Sequence, residues 1–209
     1  MNEVALSIKV STEVRLEALF HQGDRAHAAL LCHPHPLYGG TMDNAVVLAA
    51  RDALAGLGFS TLRFNFRGVG RSAGSHAGGE AAALDLQAAH DVLAARAGVR
   101  SDVHVVAYSY GAWVAVRCLA AGLRPASATL VSPPVSFPAL DFAGLALPRC
   151  RTLIVTGDRD DFCARAALER WIGARADEAH LVVIPGADHF YWGAEPRLVA
   201  ALVEFYSLV

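Results

Sequence analysis

Charge of either sign is scarce in this sequence. Only 18% of the 209 residues are Asp, Glu, Lys or Arg, and eighteen basic against twenty acidic side chains leave a net charge of -2. No Lys/Arg stripe stands out that would neutralise a row of phosphates or hold an anionic membrane surface, so neither nucleic acid nor membrane is an expected partner. Cysteine is sparse as well. Cys32, Cys118, Cys150 and Cys163 lie far apart without C-x-x-C spacing, which argues against a disulfide framework and against a zinc knot and leaves small buried thiols. No run of about 18 apolar residues occurs, and Glu3 stands where a secretory signal would carry basic charge. The expected location is cytoplasmic.

Hydrophobic residues, in contrast, make up 54% of the chain, enough to fill the core of one domain, expected to span residues 1–209. Two period-2 stretches, Val4/Leu6/Ile8/Val10 and Val14/Leu16/Ala18, flank Ser11 and Thr12 and read as a paired antiparallel entry. Beyond them, short apolar runs alternate with helix-like segments. The runs are Ala28 to Cys32, Ser60 to Phe66, Val103 to Tyr108, Ala128 to Val131, Thr152 to Thr156 and His180 to Ile184. Helices are expected near residues 43 to 56, 79 to 97, 110 to 121, 162 to 175 and 195 to 208, with Gly56 and Gly122 as left-handed caps of the first and third. This alternation predicts a doubly wound α/β fold with a mostly parallel sheet and antiparallel N-terminal strands. Ligands of such sheets sit beyond the carboxyl ends of the strands.

The first residues of chemical interest follow the run Val103 to Tyr108. There Ala107-Tyr108-Ser109-Tyr110-Gly111 passes directly into the helical pattern Ala112-Trp113-Val114-Ala115-Val116. A serine on so sharp a strand-to-helix turn is forced into an unfavourable conformation that exposes its hydroxyl, and only small neighbours two residues away let the chain approach itself. The helix start also aims free N–H groups at the space above that hydroxyl.

These residues resemble the nucleophile elbow, G-x-S-x-G, of the α/β-hydrolase superfamily, with Ala107 in place of the first glycine. The resemblance runs from about residue 25 to residue 205 and includes three further motifs. His33-Pro34-His35-Pro36-Leu37-Tyr38-Gly39-Gly40-Thr41-Met42-Asp43-Asn44 resembles the oxyanion loop of small, dienelactone-hydrolase-like esterases. Pro34 and Pro36 lack an N–H, so an oxyanion donor from this loop must come from His35, Leu37 or a later residue, with Leu37 preferred. The two imidazoles read as packing or loop-ordering groups rather than metal ligands, since no Asp, Glu or third His stands beside them. Asn65-Phe66-Arg67-Gly68-Val69-Gly70-Arg71-Ser72 is similar to the superfamily's D-x-R-G-x-G-x-S stretch, with Asn replacing Asp. Its Gly68 to Ala73 also matches the dinucleotide fingerprint, but Gly74, Gly78 and Gly79 keep the chain loop-like where that motif needs a helix start.

The last motif supplies the partners a serine needs: a base to take its proton and an acid to orient that base. After Thr152 to Thr156 comes Gly157-Asp158-Arg159-Asp160-Asp161, and after His180 to Ile184 comes Ile184-Pro185-Gly186-Ala187-Asp188-His189-Phe190. The superfamily's order Ser…Asp…His then implies Ser109 as nucleophile and His189 as base. Its Gly-(Asp/Glu)-x-Asp pattern implies Asp160 as the acid, leaving Asp161 to cap the next helix, Asp158 to cap the strand end and Asp188 for the turn. Tyr110 N–H would be the first oxyanion donor, and Leu37 or His35 the second. Little chain separates Val131 from Arg151, so no lid domain is expected. The expected cleft is open and apolar, walled by Tyr38, Met42, Tyr110, Pro134, Phe137, Phe162, Phe190 and Tyr191, with Trp192 nearby. A small ester is the expected substrate, with no metal or cofactor; the alternatives are a thioesterase or short-peptide hydrolase on the same triad, or a non-catalytic ligand-binding protein on a hydrolase fold. Activity should fall below about pH 6.5, where histidine takes up a proton.

Overall fold

The computed structural model describes residues 2–24, 26–98, 102–173 and 178–208. Eight strands form a single sheet: β1 (Val4–Lys9), β2 (Arg15–His21), β3 (Ala28–Cys32), β4 (Ser60–Phe64), β5 (Val103–Tyr108), β6 (Ser127–Val131), β7 (Arg151–Gly157) and β8 (Ala179–Ile184). Their spatial order is β1-β2-β4-β3-β5-β6-β7-β8. β1 and β2 pair antiparallel, as does β2 with β4, and every later pairing is parallel. The expected mostly parallel, doubly wound sheet with an antiparallel N-terminal pair is what forms.

Period-2 alternation explains why the central runs are apolar throughout. Leu30, Leu62, Val105, Leu130 and Ile154 enter one core, while Leu31, Val106, Val131, Leu153 and Val155 enter the other. The first core is closed by α2 (Gly78–Ala97), α3 (Tyr110–Ala120) and α4 (Arg165–Ile172), and the second by α1 (Ala45–Gly56) and α5 (Glu195–Tyr206). Among the described residues, no helix or strand stands between Val131 and Arg151, so nothing roofs the carboxyl ends of the strands.

Three local expectations need correction. β4 ends at Phe64, not Phe66, because Asn65 N–H donates to Glu17 O and the chain then turns. Gly56 is the last residue of α1 and not its left-handed cap: the positive φ falls on Gly58 (86°), whereas Gly122 (116°) turns as expected. α4 starts at Arg165 rather than 162, and Asp161 caps nothing. The carboxylate of Asp160 instead collects the Phe162 and Cys163 N–H groups, and Ser136 Oγ accepts from Ala164 N–H. The expected end of this helix, residue 175, lies outside the described residues.

One ion pair ties the helical layer to the loop after β4. Asp85 of α2 is fully buried and accepts from the Arg67 guanidinium (Nη2, 2.6 Å) and from the Arg67 backbone N–H (3.0 Å). Asp85→Ala leaves a mostly buried guanidinium without its counter-charge. It should cost about 3 kcal/mol or more in a urea unfolding experiment, whereas a surface pair such as Arg165–Glu169 is worth under about 1 kcal/mol.

Candidate active site

Ser109 sits between β5 and α3 with φ 54° and ψ -116°, a backbone conformation that costs a non-glycine residue about 1–3 kcal/mol. Hydrogen bonds hold it there: Ser109 N–H donates to Val131 O (2.9 Å), and Ser109 O accepts from Ala112 N–H (2.9 Å) and Trp113 N–H (3.2 Å). Gly111 is required by contact, since a Cβ there would lie 2.8 Å from Cys32 O and 2.9 Å from His33 O. Ala107 is fully buried in β5, so smallness on both sides of the serine has a steric cause.

The residues that sequence reasoning scattered over 80 positions meet at this turn. His189 Nε2 lies 2.9 Å from Ser109 Oγ, and His189 Nδ1 lies 2.9 and 3.0 Å from the two carboxylate oxygens of Asp160. His189 is carried by the loop after β8. That loop is pinned by the buried Tyr108 hydroxyl, which donates to His189 O (2.7 Å), and by Asp188, whose carboxylate accepts from the Phe190 and Tyr191 N–H groups. Burial pushes the Tyr108 phenol upward, so it stays protonated and donates. Burial also raises the Asp160 pKa, but the hydrogen bond and charge of His189, the Ser132 hydroxyl and the Cys163 N–H outweigh it. The net effect holds the carboxyl below its ordinary range.

Ser132 and Tyr191 were not singled out as partners of the acid. Both are fully buried and, like Ser109, hold positive φ (46° and 59°). Tyr191 Oη lies 2.8 Å from Ser132 Oγ and 3.1 Å from Val155 O, two acceptors for its single proton. The only sequence signal for Ser132 is its position at a strand end.

The oxyanion loop is built from beneath by His33. Its Nδ1 bonds Pro34 O (2.6 Å) and its Nε2 accepts from Phe66 N–H (3.0 Å), which requires the neutral ring with the proton on Nδ1. Burial pulls its pKa down to about 4, Pro34 O opposing this and His35 adding to it. Above this, a single 3-10 turn (Pro36–Tyr38) is capped by the His35 side chain, whose Nδ1 accepts from Leu37 N–H (3.2 Å). The N–H of Leu37 is thereby used internally, and its side chain is 69% exposed and outside the cleft. Tyr38 and Gly40 N–H groups both donate to His35 O. Tyr110 N–H, first in α3, has no acceptor within its helix.

A cleft of about 520 Å³ opens over Ser109 and His189. Tyr38, Phe137, Phe162 and Phe190 line it as expected, together with Pro134 and Leu140. Met42 does not: it is 4% exposed, its N–H donates to Asn65 Oδ1, and its carbonyl accepts from Arg63, which hold it under the loop. Tyr110 does not line the cleft either, because its ring is buried against Phe66 and Trp113. Tyr191 is buried below the cleft, and Trp192 stands outside it in solvent. The Gly68 to Ala73 stretch is turn, and α2 starts only at Gly78, so no helix N-terminus follows the fingerprint.

A lidless, doubly wound sheet with serine, imidazole and carboxylate joined at three strand ends defines a hydrolase architecture. The chain belongs to the alpha/beta hydrolase family: that family's domain matches residues 26–196. Among solved structures, it is similar to an alpha-beta serine hydrolase homologue from Coxiella burnetii, with 31% identity and a TM-score of 0.87 over 98% of this chain and 97% of that one. It is also similar to a serine hydrolase without lid from Xanthomonas campestris, with 29% identity and a TM-score of 0.88 over 99% and 94% of the two chains. An uncharacterized protein of Rickettsia prowazekii is 32% identical over 187 residues, which cover 86% of this chain and 79% of that protein.

The neutral state of His33 has a consequence for stability. Its folded pKa, about 4, lies below the ordinary 6.5, so between these values the unfolded chain binds more protons than the folded one. Stability from this group is therefore complete above pH 6.5 and is lost, by about 3 kcal/mol, as pH falls towards 4. In urea unfolding across that window, His33→Gln should be less stable at neutral pH and show a shallower decline towards pH 4. An unchanged slope would contradict the neutral ring.

Proposed function

We propose that this hydrolase cleaves small carboxylic esters through a covalent acyl–serine intermediate. The observation that carries the reading is the 2.9 Å approach of His189 Nε2 to Ser109 Oγ, with both Asp160 oxygens on the opposite ring nitrogen. Ser109 Oγ attacks the ester carbon while its proton passes to His189. Asp160, already held ionised, keeps the imidazole in the tautomer that accepts at Nε2 and stabilises the cation that forms. The carbonyl oxygen becomes an oxyanion, for which the Tyr110 N–H is the first donor. The second donor is the His35 N–H rather than Leu37, since Leu37 has given its N–H to the His35 ring.

Water entering after the alcohol has left repeats the sequence and frees the acid. The serine hydrolase relatives support this chemistry, and the cleft's composition supports an uncharged ester. Among the described residues no Lys or Arg lines it, so a thioester of a phosphorylated thiol would find no cation there.

A fluorophosphonate should label Ser109 and leave Ser109→Ala unlabelled, read by mass spectrometry of the intact chain and its peptides. Asp160→Asn keeps the shape but loses the charge and the tautomer control, and should lower kcat for nitrophenyl acetate by about a thousandfold or more. Labelling elsewhere, or an active Ser109→Ala, refutes the assignment. Along a nitrophenyl ester series, kcat/KM should peak at short acyl chains, because the open cleft offers no long tunnel. A peak at the longest chains would contradict the cleft's shape.

A further inference from the structure

Two phenylalanines stand against the general base itself. The Phe162 ring centroid lies 4.7 Å from that of His189, at 52°, and the Phe190 centroid lies 5.7 Å away, at 88°. Both rings line the cleft and both keep apolar surface free, at 37% and 51% exposure. Their backbones are fixed by the groups that fix the catalytic pair. Phe162 N–H donates to Asp160 Oδ1 (3.0 Å) and Phe162 O accepts from Ser136 N–H (2.9 Å), while Phe190 N–H donates to Asp188 (3.0 Å). The base and the two rings are therefore held by one set of hydrogen bonds.

The position of the rings relative to the reaction distinguishes one half of the ester from the other. In acylation the Ser109 Oγ–carbon bond forms and the carbon–oxygen bond to the alcohol breaks. The departing oxygen keeps the electron pair and takes the proton that His189 removed from Ser109. That oxygen must come within hydrogen-bond reach of His189 Nε2, so the carbon group attached to it lies beside the imidazole, where Phe162 and Phe190 stand. The acyl group, with its carbonyl oxygen held between the His35 and Tyr110 N–H groups, extends away from the imidazole, whereas Phe137 packs on Phe162 at 5.6 Å and extends the ring surface on the alcohol side.

We infer that the site selects esters of aromatic or other bulky apolar alcohols, and that Phe162 and Phe190 are the residues that read the alcohol half. This rests on the esterase reading above and adds the half of the substrate that carries specificity. Offset or edge-to-face stacking on two rings provides the recognition, and no charged group is needed.

Benzyl acetate and methyl phenylacetate are isomers that carry the same phenyl group on opposite sides of the ester, so overall hydrophobicity is matched between them. With the purified full chain, kcat/KM for benzyl acetate should exceed that for methyl phenylacetate and for methyl acetate by about tenfold or more. Phe190→Ala and Phe162→Leu should each bring the isomer ratio down towards one. A ratio taken within one enzyme preparation does not depend on how much of it is folded, and fluorophosphonate labelling of Ser109 in each variant verifies the intact catalytic pair. Equal rates for the isomers, preference for methyl phenylacetate, or a ratio untouched by both variants overturns the inference while leaving the esterase standing. Failure to hydrolyse any ester, with Ser109 unlabelled, overturns the esterase reading and this inference together.

Discussion

The close approach of Gly111 to the end of β3 is the constraint on which this site rests. With hydrogen in place of a side chain, the first turn of α3 lies against the carbonyl oxygens of Cys32 and His33. Helix α3 can then leave β5 without an intervening loop, and the residue at the corner is driven into the left-handed region. Two consequences follow from that one contact. The Ser109 hydroxyl is raised above the sheet, and the free N–H groups at the start of α3 are brought beside the main chain of the His33–Gly40 loop. The proposed nucleophile and the N–H groups proposed to bind the oxyanion thus come from the same steric fact.

The oxyanion loop is in turn suspended from β4 by polar contacts that replace a hydrophobic anchor. His33 receives the Phe66 N–H, Asn65 receives the Met42 N–H, and Arg63 binds Met42 O, Asp43 and Glu3. Asn in place of the superfamily's Asp at position 65 has a local reason. Its Oδ1 accepts from Met42 while its Nδ2 donates to Glu17 Oε2 (2.9 Å). A carboxylate could make the first contact but would face a second carboxylate in the other. Glu17 stays ionised there despite burial because the Arg71 backbone and side chain and the Asn65 amide donate to it. The departure from the motif is thus complementary to Glu17, a residue on a different strand.

What could be read from the sequence was whatever depends on local pattern. The all-apolar runs located the central strands because both faces of those strands are covered, and the strand-serine-helix succession located Ser109 because that turn requires small residues at 107 and 111. The histidine and aspartate were legible through chain order. What escaped was set by contacts between distant segments. Met42 looked like a wall because it is apolar and in a loop, but its neighbours in space are Asn65 and Arg63, about twenty positions away. Leu37 looked like an oxyanion donor because it is the first residue after Pro36. Only the fold shows that an imidazole two residues earlier takes its N–H. Gly56 and Gly58 compete for one cap, and the choice depends on the helix length that packs against α5, which no local rule determines.

Among the described residues, three non-glycine residues adopt positive φ, and all three belong to one hydrogen-bonded cluster: Ser109, Ser132 and Tyr191. Each conformation is unfavourable alone, and each is over-determined by its neighbours. Ser132 N–H donates to Val155 O (2.7 Å), and Tyr191 Oη returns to the same carbonyl. This places the Ser132 hydroxyl against Asp160, whose carboxylate already accepts from His189, Phe162 and Cys163. With so many donors converging on it, the carboxylate has little freedom to rotate, and an imidazole bonded to both its oxygens inherits that rigidity. Strain stored at Ser132 and Tyr191 is therefore converted into the orientation of His189, 2.9 Å from the hydroxyl that the strain at Ser109 exposes. The unfavourable backbone at the two ends of this hydrogen-bonded chain is one device, which brings the His189 ring and the Ser109 hydroxyl together in the unliganded fold.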